Sequence, residues 1–174
     1  MFWNKKEYKK RHFVYFIFGV SGAGKSTIKK ELEILVQRDR RKIDVIEFDH
    51  YGVPKDMPEF AEWVQWRQDR TELILSKAKR DTVVCGTVLP NEFYQWVDYR
   101  DKFVSKFCLL TLKKRQIKKR LKKRNWSKEL INQNVELDKH LRWLMTREFD
   151  GLVIDTSKLD ITESANKIYD WIIY

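Results

Sequence analysis

Two hydrophobic rhythms alternate along the chain. Short unbroken apolar runs predict buried strands, and apolar positions spaced three and four apart predict helices packed on them. HFVYFIF (12–18) is the first run and ends at a glycine; IDVIEF (43–48), TVVCG (82–86), KFCLLTL (106–112) and GLVIDT (151–156) follow. After the first run, Ile28, Leu32, Leu35 and Val36 share one helix face from about Lys25, until RDRRK ends it. Pro58 suits a first helical turn, and the 3.6 period then holds through Phe60, Val64, Thr71, Ile74, Leu75 and Ala78 to about residue 79. A short helix is expected over 91–102, with Phe93, Trp96 and Val97 on one side. A basic helix follows over 113–124 with Ile117 and Leu121 inward, then one capped by Ser127 that packs through Leu137, Leu141, Leu144 and Met145. The last helix opens on Asp160 and Glu163 and aligns Ile161, Ala165, Ile168, Tyr169 and Ile172.

Five apolar strands alternating with helices imply an α/β fold. Its sheet is parallel and covered on both sides, and ligands bind at the carboxyl ends of the strands. No repeat and no Gly/Ser- or Pro-rich linker divides the 174 residues, so one domain is expected. Apolar residues make up 43% and charged residues 35%, which excludes a disordered chain. The longest unbroken apolar stretch, Phe13 to Phe18, is far too short to cross a bilayer. The N-terminal MFWNKKEYKKRH lacks a signal peptide's apolar segment, so a cytoplasmic protein with no membrane partner is expected. Cys85 and Cys108 each sit in a strand-like run and make neither a disulfide framework nor a zinc site. The net charge of +11 favours anionic partners without choosing among nucleotides, phosphorylated metabolites and nucleic acid.

Three of the six glycines fall between positions 19 and 24. Gly19-Val20-Ser21-Gly22-Ala23-Gly24-Lys25-Ser26 fits G-x-x-x-x-G-K-[ST] without a mismatch, and it has the required strand before it and helix after it. Glycines let backbone N–H groups wrap phosphate oxygens without Cβ clashes, and a helix beginning at Lys25 aims its free N–H groups and positive dipole end at the same anion. Residues 19 and 21–27 are therefore the expected nucleotide site: Lys25 reaches the β- and γ-phosphates, the Ser26 hydroxyl ligates Mg²⁺, and Thr27 supports the loop. Glu47 and Asp49 close the second strand two residues apart, so their side chains are expected on one face at the sheet end where a nucleotide sits. A carboxylate there accepts the proton of an attacking hydroxyl or holds Mg²⁺; the competing reading has Asp49 capping the turn DHYG.

The loop GVSGAGKST, the acid-x-acid EFD closing strand two and the TVVCG closing strand three resemble the nucleoside-monophosphate-kinase-like group of small P-loop kinases, which includes shikimate, gluconate and adenylylsulfate kinases. The resemblance implies a three-layer α/β/α fold with a five-stranded parallel sheet, a mobile acceptor-binding helical region (about 50–80) and a short lid (about 115–127). It also implies ATP and Mg²⁺, with Asp49 activating or orienting the acceptor hydroxyl and Glu47 helping to hold magnesium.

On the acceptor side, Arg67 falls where the helix 58–79 should be apolar. An inward guanidinium needs a partner: an acceptor's phosphate or carboxylate held as a bidentate fork, an internal salt bridge, or the ring of Trp63 or Trp66 beneath it. Trp63 and Trp66 are read either as core or as a platform for an aromatic acceptor. Gly86 allows close backbone approach to a ligand, and Glu92 is placed to receive acceptor hydroxyls; loop flexibility is the alternative for both. From Lys113 to Arg124 nine of twelve residues are Lys or Arg, and Arg120 and Arg124 share a helix face. In the resembling kinases, arginines here close over the phosphates and stabilise the transferring group. Arg120 and Arg124 fit that role, Arg115 less well, and most of the lysines form a solvated face. Asp155-Thr156-Ser157 falls where that group borders the adenine ring.

These observations converge on an ATP-dependent kinase acting on a small molecule: a nucleoside, nucleotide or polar metabolite. Two alternatives stay open, a kinase acting on nucleic acid, which the basic run supports, and a P-loop NTPase switch without an acceptor. Nothing in the chain fixes an oligomeric state.

Overall fold

Parallel pairing requires strands that can be buried on both faces, and the apolar runs supply them. The structure, a computed structural model, describes residues 11–51, 60–86, 88–96 and 103–174, with the backbone alone at 50, 51, 60 and 94–96. The order is β1 (His12–Phe18), α1 (Lys25–Arg38), β2 (Asp44–Glu47), a 3-10 turn (Phe48–Tyr51), α2 (Phe60–Lys77), β3 (Thr82–Cys85) and α3 (Pro90–Trp96). Then come β4 (Phe103–Thr111), α4 (Lys114–Lys122), α5 (Lys128–Arg147), β5 (Leu152–Asp155) and α6 (Ile161–Ile173). The five strands form one parallel sheet in the order β2-β3-β1-β4-β5.

Strand alternation assigns the two covered faces. Tyr15 points toward α6, where its hydroxyl donates to Ile172 O at 2.9 Å and its ring meets Trp171 edge-on. Phe16 points the other way, onto Phe93 of α3 and Phe107 of β4. The helix α1 buries Ile28, Leu32, Leu35 and Val36, and α5 buries Ile131, Val135, Leu141, Leu144 and Met145, while Leu137 is only half-buried. Both expected caps form: Ser127 accepts from Leu130 N, and Asp160 and Glu163 make a reciprocal capping box. The chain leaves β1 toward β2 and β3 on one side and toward β4 and β5 on the other. The loop after β1 therefore sits at the switch point where α/β sheets open a crevice.

Two of the boundaries differ from the sequence expectation for a physical reason. The fourth strand starts at Phe103, not Lys106, because His12 pairs with Phe103 and carries the ladder through the polar Ser105 and Lys106. The second strand ends at Glu47, and Phe48 enters the 3-10 turn with its side chain fully buried. The third helix is described only to Trp96; Val97, Pro58 and the rest of 52–59 lie outside the described residues. Among the described residues no helix is long and apolar enough to cross a membrane.

Candidate nucleotide and acceptor site

The loop 19–24 is held from outside. Gly19, Gly22 and Gly24 have φ of 153°, 81° and 103°, and a Cβ at Gly19 would stand 2.3 Å from Leu110 O on the neighbouring strand. Arg120 Nη1 donates to Gly22 O at 2.7 Å, Thr156 Oγ1 to Ala23 O at 3.2 Å, and Ser21 N donates to Asn134 Oδ1 at 3.1 Å. Gly24 caps α1 without a side-chain hydrogen bond, and a Cβ there would meet nothing within 4 Å. The start of α1 is thus open beside Gly24, and a helix N-terminus is an arrangement that receives an anion.

Lys25 folds back over this space: its Nζ donates to Gly19 O at 2.7 Å and Val20 O at 3.1 Å. Burial pushes its pKa down to about 8; the Arg124 charge adds to that fall, while Asp49 and Glu47 oppose it. Ser26 Oγ donates to Glu47 Oε1 at 2.7 Å. A hydroxyl and a carboxylate at this separation are hard oxygen donors of the kind Mg²⁺ takes alongside phosphate oxygens, so the residues fit that ion.

Asp49 lies on the 3-10 turn, not on the strand, so strand alternation is not what brings it beside Glu47. The turn does it instead. Partial burial raises the Asp49 pKa, the Glu47 charge raises it further, and Lys25 and Arg70 pull it back. These charges therefore lie close enough to act on one another. Arg70 was not singled out by the sequence; its guanidinium lies 5.4 Å from the Trp66 ring centroid.

Arg67 finds its anion inside the protein. Its Nε donates to Glu92 Oε2 at 2.7 Å and its Nη2 to Oε1, a bidentate fork between side chains that are each 10% exposed. Of the partners weighed for Arg67, the one present is the internal salt bridge, and both Glu92 oxygens are spent on it. At Gly86 the close approach that is present comes from the protein: a Cβ there would overlap Phe48 Cβ. Trp66 packs edge-on against Phe48 and joins the core, and Trp63 stands edge-on to Trp66.

Beside the loop is a cavity of about 220 Å³ between α1, α4 and the start of α6, lined by Thr27, Ile28, Arg120, Thr156, Leu159 and Ser164 among others. Arg115 instead joins Lys114, Lys118, Lys119 and Lys122 around a shallow surface concavity. Sequence reasoning missed Asn134 and Asp138, although both interrupt the apolar stripe of α5 as Arg67 interrupts that of α2. Asp138 is buried, accepts from Thr111 Oγ1 at 2.8 Å and from Arg142 Nε at 2.7 Å, and so ties α5 to the end of β4.

The AAA domain family matches residues 16–140. Three solved structures share the fold. A shikimate kinase from Acinetobacter baumannii in complex with shikimate has 15% identity and a TM-score of 0.65, covering 95% of each chain. A gluconokinase from Sinorhizobium meliloti 1021 has 15% identity and a TM-score of 0.58, covering 94% of each. A deoxyadenosine kinase from M. mycoides with bound dCTP has 18% identity and a TM-score of 0.53, over 92% of this chain and 99% of that one. No curated protein matches the chain.

Proposed function

Since the chain belongs to the AAA domain family, with a phosphate loop at its matched start, we propose that it is a cytoplasmic ATP- and Mg²⁺-dependent phosphotransferase acting on a small polar acceptor. One kinase domain spans 1–174, with an acceptor region at about 50–80 and a lid at about 115–127. The observation that carries this reading is the charge cluster of Lys25, Glu47, Asp49 and Arg70 at one end of the anion cradle.

The loop amides and Lys25 bind the β- and γ-phosphates, and Lys25 exchanges its two carbonyl partners for phosphate oxygens. Ser26 and Glu47 would hold Mg²⁺, which when bound would supply positive charge against the phosphates. Asp49 accepts or orients the proton of the acceptor hydroxyl, and its raised pKa makes it a better base than an ordinary carboxylate. Arg120 and Arg124 close over the phosphates: Arg120 is already bonded to the loop, and the Arg124 charge is felt at Lys25. Arg70 takes the acceptor-binding role first weighed for Arg67, holding an anionic group of the acceptor near Asp49. Catalysis is positioning and electrostatics, with no covalent intermediate.

The test follows label from the γ-phosphate into a panel of nucleosides, nucleotides, sugar acids and DNA ends. Asp49→Asn should abolish transfer and leave ATP binding nearly intact; equal turnover by that variant removes Asp49 from the mechanism. A second reading, a nucleic-acid acceptor, is favoured by the five basic side chains around the α4 concavity. It requires binding that weakens by about three orders of magnitude between low and moderate salt.

A further inference from the structure

Several cations of this chain stand beside a carboxylate: Lys29 pairs with Glu33, Arg38 with Asp39, Arg80 with Asp44 and Arg142 with Asp138. The helix α4, KRQIKKRLK, differs: six of its nine residues are Lys or Arg and none is acidic. Lys114, Arg115, Lys118, Lys119 and Lys122 line one shallow concavity, Lys118 half-buried and the rest exposed. None of the five makes an ion pair or a side-chain hydrogen bond among the described residues. The Lys114 charge is felt by Glu136, but Lys139 already holds that carboxylate.

This arrangement costs stability. Lys114, Lys118 and Lys122 repeat four apart, as do Arg115 and Lys119, so like charges stack along one face. Lys114 and Arg115 also stand in the first turn, at the positive end of the helix dipole. Packing accounts for Ile117 and Leu121, which are buried, and leaves the five cations without a role in the fold.

Their direction and spacing say what they receive. At about 100° per residue the five span an arc of about 140°, and Arg120, which reaches Gly22 O, points about 170° from its middle. The face is therefore turned away from the phosphate loop and does not hold the donor's phosphates. From Lys114 to Lys122 it runs about 12 Å, too long for one phosphate group. A nucleic-acid strand carries one charge about every 3.4 Å of helix axis, so about three or four meet that length. The lining has no aromatic side chain on which an exposed base would stack and no apolar side chain to enter a bilayer. That favours a duplex, whose bases are covered and whose two strands double the charge. We propose that the outer face of α4 docks the phosphate backbone of double-stranded nucleic acid, irrespective of base sequence, at a site separate from the nucleotide. Docking here does not make the duplex an acceptor, so the inference stands or falls independently of the kinase reading.

The test is fluorescence anisotropy of a short labelled duplex of mixed sequence, as DNA and as RNA, with oligo(dT) of the same length and vesicles rich in phosphatidylserine as rivals. Wild type should bind a duplex, with log affinity falling against log salt at a slope of about 4–5 for five contacts. Lys118→Gln/Lys119→Gln/Lys122→Gln should lose about three of that slope and about a hundredfold in affinity at about 0.1 M salt. Lys30→Gln/Lys42→Gln/Lys167→Gln, of the same net charge, should lose far less. The α4 variant should melt no lower than wild type, because stacked like charges are removed and glutamine keeps the helix. A non-hydrolysable ATP analogue with Mg²⁺ should leave duplex binding unchanged. Binding of one duplex and not the other supports the assignment and identifies which nucleic acid supplies the backbone. Failure of the wild type to bind either duplex, or equal losses in the two variants, overturns it. So does tighter binding of oligo(dT) or vesicles than of the duplexes, displacement of the duplex by the ATP analogue, or an α4 variant that melts below wild type, since the charges would then serve the fold.

Discussion

Replacing Arg67 by methionine tests whether the inward guanidinium belongs to the fold or to an acceptor. Arg67 and Glu92 form a two-pronged pair whose side chains keep only 10% exposure each, so deleting one member strands the other's charge away from water. Breaking such a pair costs about 3–5 kcal/mol, whereas replacing both members with apolar groups of similar volume is often close to neutral. Whole-domain stability is about 5–15 kcal/mol, so either single variant removes a large share of it. At about 2–4 °C per kcal/mol for a chain of this size, Arg67→Met and Glu92→Leu should each melt about 6–20 °C below wild type. The double variant should recover most of that loss, and urea unfolding should show midpoints moving with little change in slope. Nucleotide binding should survive in the double variant. If Arg67→Met instead melts with the wild type and only its acceptor KM rises, the salt bridge is incidental and the guanidinium serves the acceptor.

Gly86→Ala should cost about 1–3 kcal/mol, because the new Cβ overlaps a fully buried Phe48 that must shift. The shift moves the turn carrying Asp49, so turnover should fall more than ATP affinity, as paired unfolding and steady-state measurements would show. Asp49→Asn should melt above wild type at neutral pH without nucleotide. Its folded pKa is raised, so above that pKa the ionised form subtracts stability, and the advantage should vanish in acid where the carboxyl is protonated. The pH profile of kcat/KM should be a bell. The acid limb lies above the ordinary carboxylate value, because Asp49 must be ionised; the basic limb lies near 8, where free Lys25 loses its proton and its hold on phosphate. A profile flat through pH 8–9 removes Lys25 from phosphate binding in its charged form.

What was legible was what a contiguous segment encodes. The glycine spacing at 19–24, the strand before it and the helix from Lys25 are local signals, and all appear in the structure. Arg67 was visible as an inward cation, but its partner stands 25 residues away on α3, and no local pattern selects Glu92 over a ligand. Gly86 was visible as a position where something approaches closely; that the approach is by Phe48 depends on β2 breaking into a turn, which the apolar run IDVIEF conceals. Ser105 and Lys106 hid the start of β4, since pairing with β1 outweighs their polarity and Lys106 reaches over the Phe13 ring. Asn134 and Asp138 carried the same polar-on-apolar-face signal that exposed Arg67 and went unread.

In this form the cradle is occupied by the protein itself. Lys25 spends its ammonium on two neutral carbonyls of the loop, and Ser26 spends its hydroxyl on Glu47. On the proposed reading, a triphosphate would give the Lys25 ammonium anionic oxygens in place of neutral carbonyls, and a cation would take the Ser26 and Glu47 oxygens. Arg120, Asn134 and Thr156 hold two loop carbonyls and one loop amide from α4, α5 and the segment after β5. The loop is thus shaped before the ligand arrives, and the ordering cost falls on two side chains instead of six backbone residues. Through Arg120 and Asn134, α4 and α5 are tied directly to the loop, so on the proposed reading both would sense what the loop binds.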